Sequence, residues 1–212
     1  MKREPPVKPT RQTRSVLTVR RLIDAATTVL ARDGYEAATI PKIAKAAGVG
    51  VGTVYVRFAD KDALLRTVYM DFFMKARPYN SRRLAELNAS VSSLADLIRA
   101  IVKNLVENYR DRRRLLRALL LYVESHDDPN FKKRALKVNQ DVFSAVTAML
   151  LDRKRQIRSP DPEVSIRFGL LAVAAVLRTA TLDEGGTLPI SLDDPLLADQ
   201  MSSMLIAYFA VR

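Results

Sequence analysis

Residues 39–61 read TIPKIAKAAGVGVGTVYVRFADK, and the fold follows from this stretch. Thr39 can cap a helix whose apolar positions Ile40, Ile43, Ala44 and Ala47 recur at helical spacing. Gly48 stops that helix, because glycine accepts the left-handed conformation in which many helices end. A second, short helix is predicted from about Val51, with Val54 and Phe58 four residues apart on its inward face. Thr53, Tyr55, Val56 and Arg57 are then left for a partner. Two helices joined by a short glycine-bearing turn make a helix-turn-helix, whose second helix enters the major groove of DNA. The pattern predicts DNA binding.

Working outward, residues 15–33 predict a preceding helix, with Val19, Leu22, Ile23, Ala26, Val29 and Leu30 on one face and Gly34 at its end. Asp60 is placed to cap a helix that starts at Lys61 and carries Leu64, Leu65, Val68 and Phe72 towards Pro78. Periodic apolar residues then predict helices over about 89–109, 112–125, 129–153 and 162–182, and from 194 or 195 to the end. Asp127 or Asp128, with Pro129, opens the third of these. Glycine is scarce (7 residues) and no alternating strand-like run stands out, so an all-α chain is expected. The predicted division is a basic arm, residues 1–14, disordered when free; a three-helix DNA-binding domain, 15–60; and a larger helical body, 61–212.

Charge agrees with that division. The formal net charge is +12, and residues 1–60 carry 11 Lys/Arg against 5 Asp/Glu, while residues 61–212 carry 24 against 18. Per residue the first part is more than twice as basic, as an electrostatic footprint for phosphate requires. The basic runs at 110–114, 132–134 and 153–158 read as solvated faces, with further contact to DNA or another anion as the alternative. With no cysteine, disulfides, thiolate metal sites and cysteine nucleophiles are excluded. The basic, proline-rich start lacks the apolar segment of a signal peptide. The longest apolar run, 168–177, falls short of the roughly 20 residues that cross a bilayer. A soluble, cytoplasmic protein without a membrane partner is expected. The sole histidine, His126, lies in a polar break beside Asp127 and Asp128, with no metal-ligand spacing, nucleophile motif or phosphate-cradling loop. No catalytic residue, cofactor or metal site is predicted.

Over residues 15–70 the chain resembles the tetracycline-repressor-like (TetR) family of bacterial transcription regulators. The residues that carry the resemblance are Gly34-Tyr35, Thr39-Ile40, Ile43-Ala44, Ala47-Gly48-Val49, Gly52-Thr53-Val54-Tyr55, Phe58 and Lys61-Asp62-Ala63-Leu64-Leu65. The resemblance implies an all-α architecture, with an N-terminal helix-turn-helix domain and a larger C-terminal helical ligand-binding and dimerisation domain. It also implies site roles: Thr39, Tyr55 and Lys61 on backbone phosphate, Gly52 allowing close approach, and Thr53 touching phosphate or base. Val56 and Arg57 stand where family members read bases; Arg57 could bond guanine edges and Val56 meet a thymine methyl. Alternatives stay open: Tyr55 as a core residue, Lys61 as a solvated helix start, Arg57 on phosphate alone. Gly50, Val51 and Val56 depart from the commoner polar, aromatic or cationic residues, which leaves more of the specificity to DNA shape.

One recognition helix reads only a few base pairs, so a homodimer on a palindromic operator is expected. Its seam is placed on the last two helices, which are apolar nearly all round, at Phe168, Leu171, Ala172, Ala175, Val176, Met201, Met204, Leu205 and Tyr208. Gly169, Ala172 and Ala175 would let helices approach closely there. The resemblance implies an unidentified small-molecule effector held among the body helices. Candidate lining residues are Phe72, Phe73, Leu105, Tyr109, Leu120, Tyr122, Phe143, Val146 and Met149, with Arg117, Glu124 and Asn139 able to orient a polar group. Their apolar bias suggests an apolar or amphipathic effector; the alternative is that they are ordinary core. The function expected is a ligand-responsive repressor. The alternatives are an activator of the same kind, or an architectural DNA-binding protein without ligand control.

Overall fold

The structure, a computed structural model, describes residues 11–183 and 186–211, with the side chains of 11–14, 77–80 and 139 outside the description. Among the described residues every regular element is helical: α1 (Arg11–Ala37), α2 (Ile40–Ala46), α3 (Val51–Tyr55), α4 (Lys61–Ser90), α5 (Leu94–Asp111), α6 (Arg113–Glu124), α7 (Pro129–Leu151), α8 (Pro162–Leu182) and α9 (Leu197–Tyr208). The all-α expectation holds. Contacts divide the chain into two compact units, one ending at Asp71 and the other beginning at Phe72.

The first unit holds α1, α2, α3 and the first turns of α4. Leu22, Ala26, Val29 and Leu30 of α1 are buried, as are Ile40, Ile43 and Ala44 of α2 and Val54 of α3. The unit extends past the boundary expected after residue 60, because Leu64, Leu65, Val68 and Tyr69 of α4 are also buried. Arg20 on α1 ties this end of α4 down through Asp71 at 2.8 Å. Helix α1 starts at Arg11 rather than at residue 15, so the predicted arm is shorter; residues 1–10 lie outside the described residues. Long, straight-chain Arg and Gln suit a helix as well as they suit a tail, which is why composition misplaced the start. Gly34 breaks the helix where expected, with φ 80° and ψ 178°, a backbone open only to glycine.

In the second unit, α5 packs mainly on α9, and α8 packs on α6, α7 and α9. Ile98, Val102 and Val106 of α5, Ile166, Val173 and Leu177 of α8, and Leu197, Leu205 and Phe209 at the C-terminal end share one core. Three boundaries differ from expectation. Helix α4 runs through Pro78 to Ser90; proline forfeits one backbone bond at about 3 kcal/mol, offset by burying Leu87 and packing Leu84 on the core. A break at 91–93 then precedes α5, whose N-cap Ser93 accepts from the Asp96 amide at 3.0 Å. Helix α9 starts at Leu197, after a turn in which Asp194 caps the Leu196 amide.

Helix α8 is long and apolar enough, by length and composition, to span a bilayer, although the unbroken apolar run inside it is shorter. Its inward face is core of this unit, and an apolar helix buried among other helices has the same composition. Several arginines read as solvated are clamps. Arg110 donates to the carbonyls of Leu192 (2.9 Å) and Asp194 (3.3 Å), and Arg113 reaches the Asp193 carboxylate (3.1 Å) and the Asp183 carbonyl (3.3 Å). Arg153 donates to the Asn88 side chain and to the carbonyls of Asn88 and Val91, satisfying the open end of α4.

Candidate functional site

The turn between α2 and α3 is built as its residues dictate. Gly48 adopts φ 65°; its amide bonds the Lys45 carbonyl at 3.1 Å while the Val49 amide reaches back to Ala44 at 3.0 Å. Those two bonds are a Schellman stop, and they set the direction in which α3 leaves. Helix α3 has Val54 buried, and Phe58 follows it into the core. Tyr55 (55% exposed), Val56 (74%), Arg57, Gly52 and Val51 stand in solvent, and Thr53 is half-buried. A Cβ at Gly52 would meet nothing within 4 Å, and its φ is not in the left-handed region, so nothing inside the chain requires glycine there.

The supporting residues are placed differently from expectation in two details. Thr39 is the N-cap of α2, but its side chain makes no capping bond; it is exposed, and Pro41 in the first turn has no amide to satisfy. Lys61 is neither a solvated helix start nor extended into solvent. Its Nζ donates to the Tyr35 carbonyl at 3.3 Å and lies 5.0 Å from the Tyr35 ring centroid. Burial pulls its ammonium below the ordinary lysine range, against Asp62, which raises it.

In the second unit a cavity of about 220 Å³ lies among α4, α5, α6, α7 and α8. Six of the predicted residues line it: Phe72, Phe73, Leu105, Tyr109, Phe143 and Val146. Leu120, Tyr122 and Met149 do not. Tyr122 is fully buried against Phe131, ring centroids 5.5 Å apart, and Met149 packs on the core. Neither Arg117 nor Glu124 reaches the cavity, Glu124 pairing instead with Arg178; the Asn139 side chain is outside the description. Burial pushes the Tyr109 phenol up, so it stays protonated and able to donate. Sequence reasoning missed Asn104, Asn108 and Arg112, which also line the cavity. Their spacing of four follows one stripe of α5 to its C-cap, but polar residues in a stripe read as a solvated face.

The predicted seam splits in two. Phe168 (60% exposed), Leu171 (59%), Met204 (43%) and Tyr208 (49%) face outward, with Ala175 exposed and Ala172 and Val176 half-buried. The Phe168 and Tyr208 rings touch, centroids 5.8 Å apart. Met201 and Leu205, by contrast, are buried in their own chain's core. Gly169 is likewise an internal contact: a Cβ there would stand 2.7 Å from Leu205 Cδ2 and 3.0 Å from the Phe209 ring. It serves packing of α8 on α9 within one chain.

The sequence pattern of bacterial regulatory proteins of the tetR family matches residues 22–68, and that of the tetracyclin repressor-like C-terminal domain matches residues 93–209. The chain belongs to the TetR family. It is a DNA-binding transcription regulator of that family, whose neighbours are regulators rather than enzymes. The fatty acid metabolism regulator protein of Bacillus subtilis (strain 168) is 41% identical over 51 residues, 24% of this chain. The match spans about a quarter of that relative's length (26%). Bacillus subtilis FadR, solved in complex with stearoyl-CoA, has the same fold at 17% identity and TM-score 0.68, covering 89% of this chain and 98% of that one. A putative TetR-family regulator from Mesorhizobium loti superposes with TM-score 0.68 at 19% identity, covering 95% and 98%. RolR in complex with resorcinol gives 0.62 at 18%, covering 95% and 92%.

Gly52 and Tyr55 of α3, with Val56 and Arg57 directly after it, are exposed together on one short segment. The cavity draws its lining from helices far apart in sequence, and no local motif announces it.

Proposed function

We propose that the protein is a homodimeric repressor that leaves a palindromic operator when a small apolar or amphipathic effector enters the cavity of its second unit. The observation that carries this reading is the cavity itself. Folded cores are packed to crystal density and keep few voids larger than a water molecule. An apolar pocket of about 220 Å³ lined by Phe72, Phe73, Leu105, Phe143 and Val146 supports that reading. FadR with stearoyl-CoA and RolR with resorcinol are similar folds that hold small molecules, which supports the same use here.

The reader acts through Arg57 and Val56 on base edges, Thr39, Thr53 and Tyr55 on phosphate, and Gly52 at closest approach. Lys61 grips phosphate by leaving the Tyr35 carbonyl, a weak bond that a charged oxygen outcompetes. Two copies pair through the outward apolar residues of α8 and α9, where the exposed rings of Phe168 and Tyr208 meet. The effector changes DNA affinity only by preferring one conformation over another. Helix α4, which begins at Lys61 and carries Phe72 and Phe73 to the cavity, is the continuous route for that preference. The protein works in the cytoplasm, with its DNA.

Selection of bound duplexes from a random pool, near physiological salt, tests the reading. One recovered palindrome, with binding lost on adding an effector, is the expected result. Tight, salt-sensitive binding without any motif would instead mark an architectural protein.

A further inference from the structure

We infer that the effector is a monocarboxylate with an apolar tail, and that Arg112, flanked by Asn104 and Asn108, selects its head group. This deepens the effector reading above and rests on it. The apolar cavity adjoins a second, polar one of about 340 Å³, lined by Arg82, Arg83, Glu86, Glu107 and Asp111. Three residues line both, namely Asn104 and Asn108 of α5 and Arg112, which caps its C-terminal end. They are the seam at which an apolar interior gives way to water.

The open donors of the seam are the Arg112 guanidinium and the Asn104 carboxamide. Asn108 Nδ2 is spent on the Asn104 carbonyl at 2.8 Å. The Arg112 guanidinium stands 5.8 Å from the centroid of Phe72, a wall of the apolar cavity. Among the described residues no carboxylate lies within 4 Å of Arg112, whereas Arg83 is already paired with Glu86 at 3.5 Å. A planar, unpaired guanidinium beside two carboxamides fits one carboxylate bidentately. Beyond the seam carboxylates outnumber cations, with Glu86, Glu107 and Asp111 against Arg82 and Arg83. A head with several phosphates would have to lie against those carboxylates, so a single negative charge at the seam is favoured over a nucleotide ester. The cavity exceeds the roughly 150 Å³ that holds benzene, so the tail is larger than one ring.

Titration calorimetry of the full chain with decanoate, decanol and decanoyl-coenzyme A tests this. Decanoate is expected to bind about tenfold to a hundredfold more tightly than decanol, the range of a charged hydrogen bond. R112Q should bring the affinity ratio of decanoate to decanol close to one. R112K, which keeps charge without the planar fork, should recover part of the difference. Because Arg112 is exposed, thermal unfolding of both variants should match the parent. Equal binding of acid and alcohol, or a preference that survives R112Q, would overturn the head-group assignment but leave an apolar effector site standing. Stronger binding of decanoyl-coenzyme A than of decanoate would overturn the single-charge reading in favour of a phosphate-bearing head. Binding of none of the three would overturn the effector reading as well.

Discussion

Replacing Phe168 by alanine removes the largest outward apolar side chain of the proposed seam while touching little of its own chain's core. A phenylalanine presents on the order of 200 Å², and 60% of Phe168 stands in solvent. About 120 Å² per chain is therefore covered only by a partner, worth about 3 kcal/mol at 25 cal/mol per Å². A two-fold axis uses each patch twice, which raises the figure to about 6 kcal/mol per dimer. Rearrangement of Leu171, Met204 and Tyr208 around the space left recovers part of that. A loss of at least about 3 kcal/mol, roughly a hundredfold in the dissociation constant, remains. Sedimentation velocity from nanomolar to micromolar protein should show a dimer for the parent and a monomer–dimer mixture for F168A. The helical content of the variant by circular dichroism should be unchanged. A parent that is monomeric at micromolar concentration, or an F168A dimer as tight as the parent, would refute the reasoning.

Gly169→Ala probes the neighbouring position from the inside. The added Cβ meets Leu205 Cδ2 at 2.7 Å, so the overpacking cost is about 1–3 kcal/mol and melting should fall by about 2–10 °C. Dimer affinity should change less than in F168A; the reverse order would put Gly169 at the seam between chains. Arg57→Ala, at an exposed side chain, should leave the melting temperature unchanged and relax base preference by about tenfold at one operator position, read by competitive selection from the random pool. A uniform loss across all sequences would assign Arg57 to phosphate instead. Asp33 gives a pH test. Its hydrogen bond from Arg32, with Lys42 nearby, holds its carboxyl at about 2, below the usual range. A lowered value means stability is present above the unfolded carboxyl's pKa near 4 and is lost as pH falls towards 2. Asp33→Asn should therefore flatten that part of the melting profile between pH 4 and 2, and an unchanged slope would remove Asp33 from the acid response.

What the sequence by itself determined is what short-range chemistry settles. Gly48 ends α2 because the left-handed turn there disfavours a Cβ, and Val54 with Phe58 face inward because a helix repeats every 3.6 residues. Asp128 before Pro129 and Gly34 at the kink inside α1 announced their breaks in the same local way. The helix-turn-helix was legible because its whole logic fits within about twenty residues. Tertiary structure alone decided which apolar residues border empty space: Phe143 and Val146 line the cavity while Tyr122 and Met149, equally apolar and equally periodic, fill core. It alone turned Met201 and Leu205 inward and left Met204 and Tyr208 outside, since a helix apolar on nearly every side carries no directional signal. It alone set Arg110, Arg113 and Arg153 to holding a loop and a helix end, and Asn104, Asn108 and Arg112 to the mouth of a cavity. Periodicity says which face of a helix is apolar or charged; which other element comes to cover that face, or fails to, depends on contacts between residues far apart in the chain.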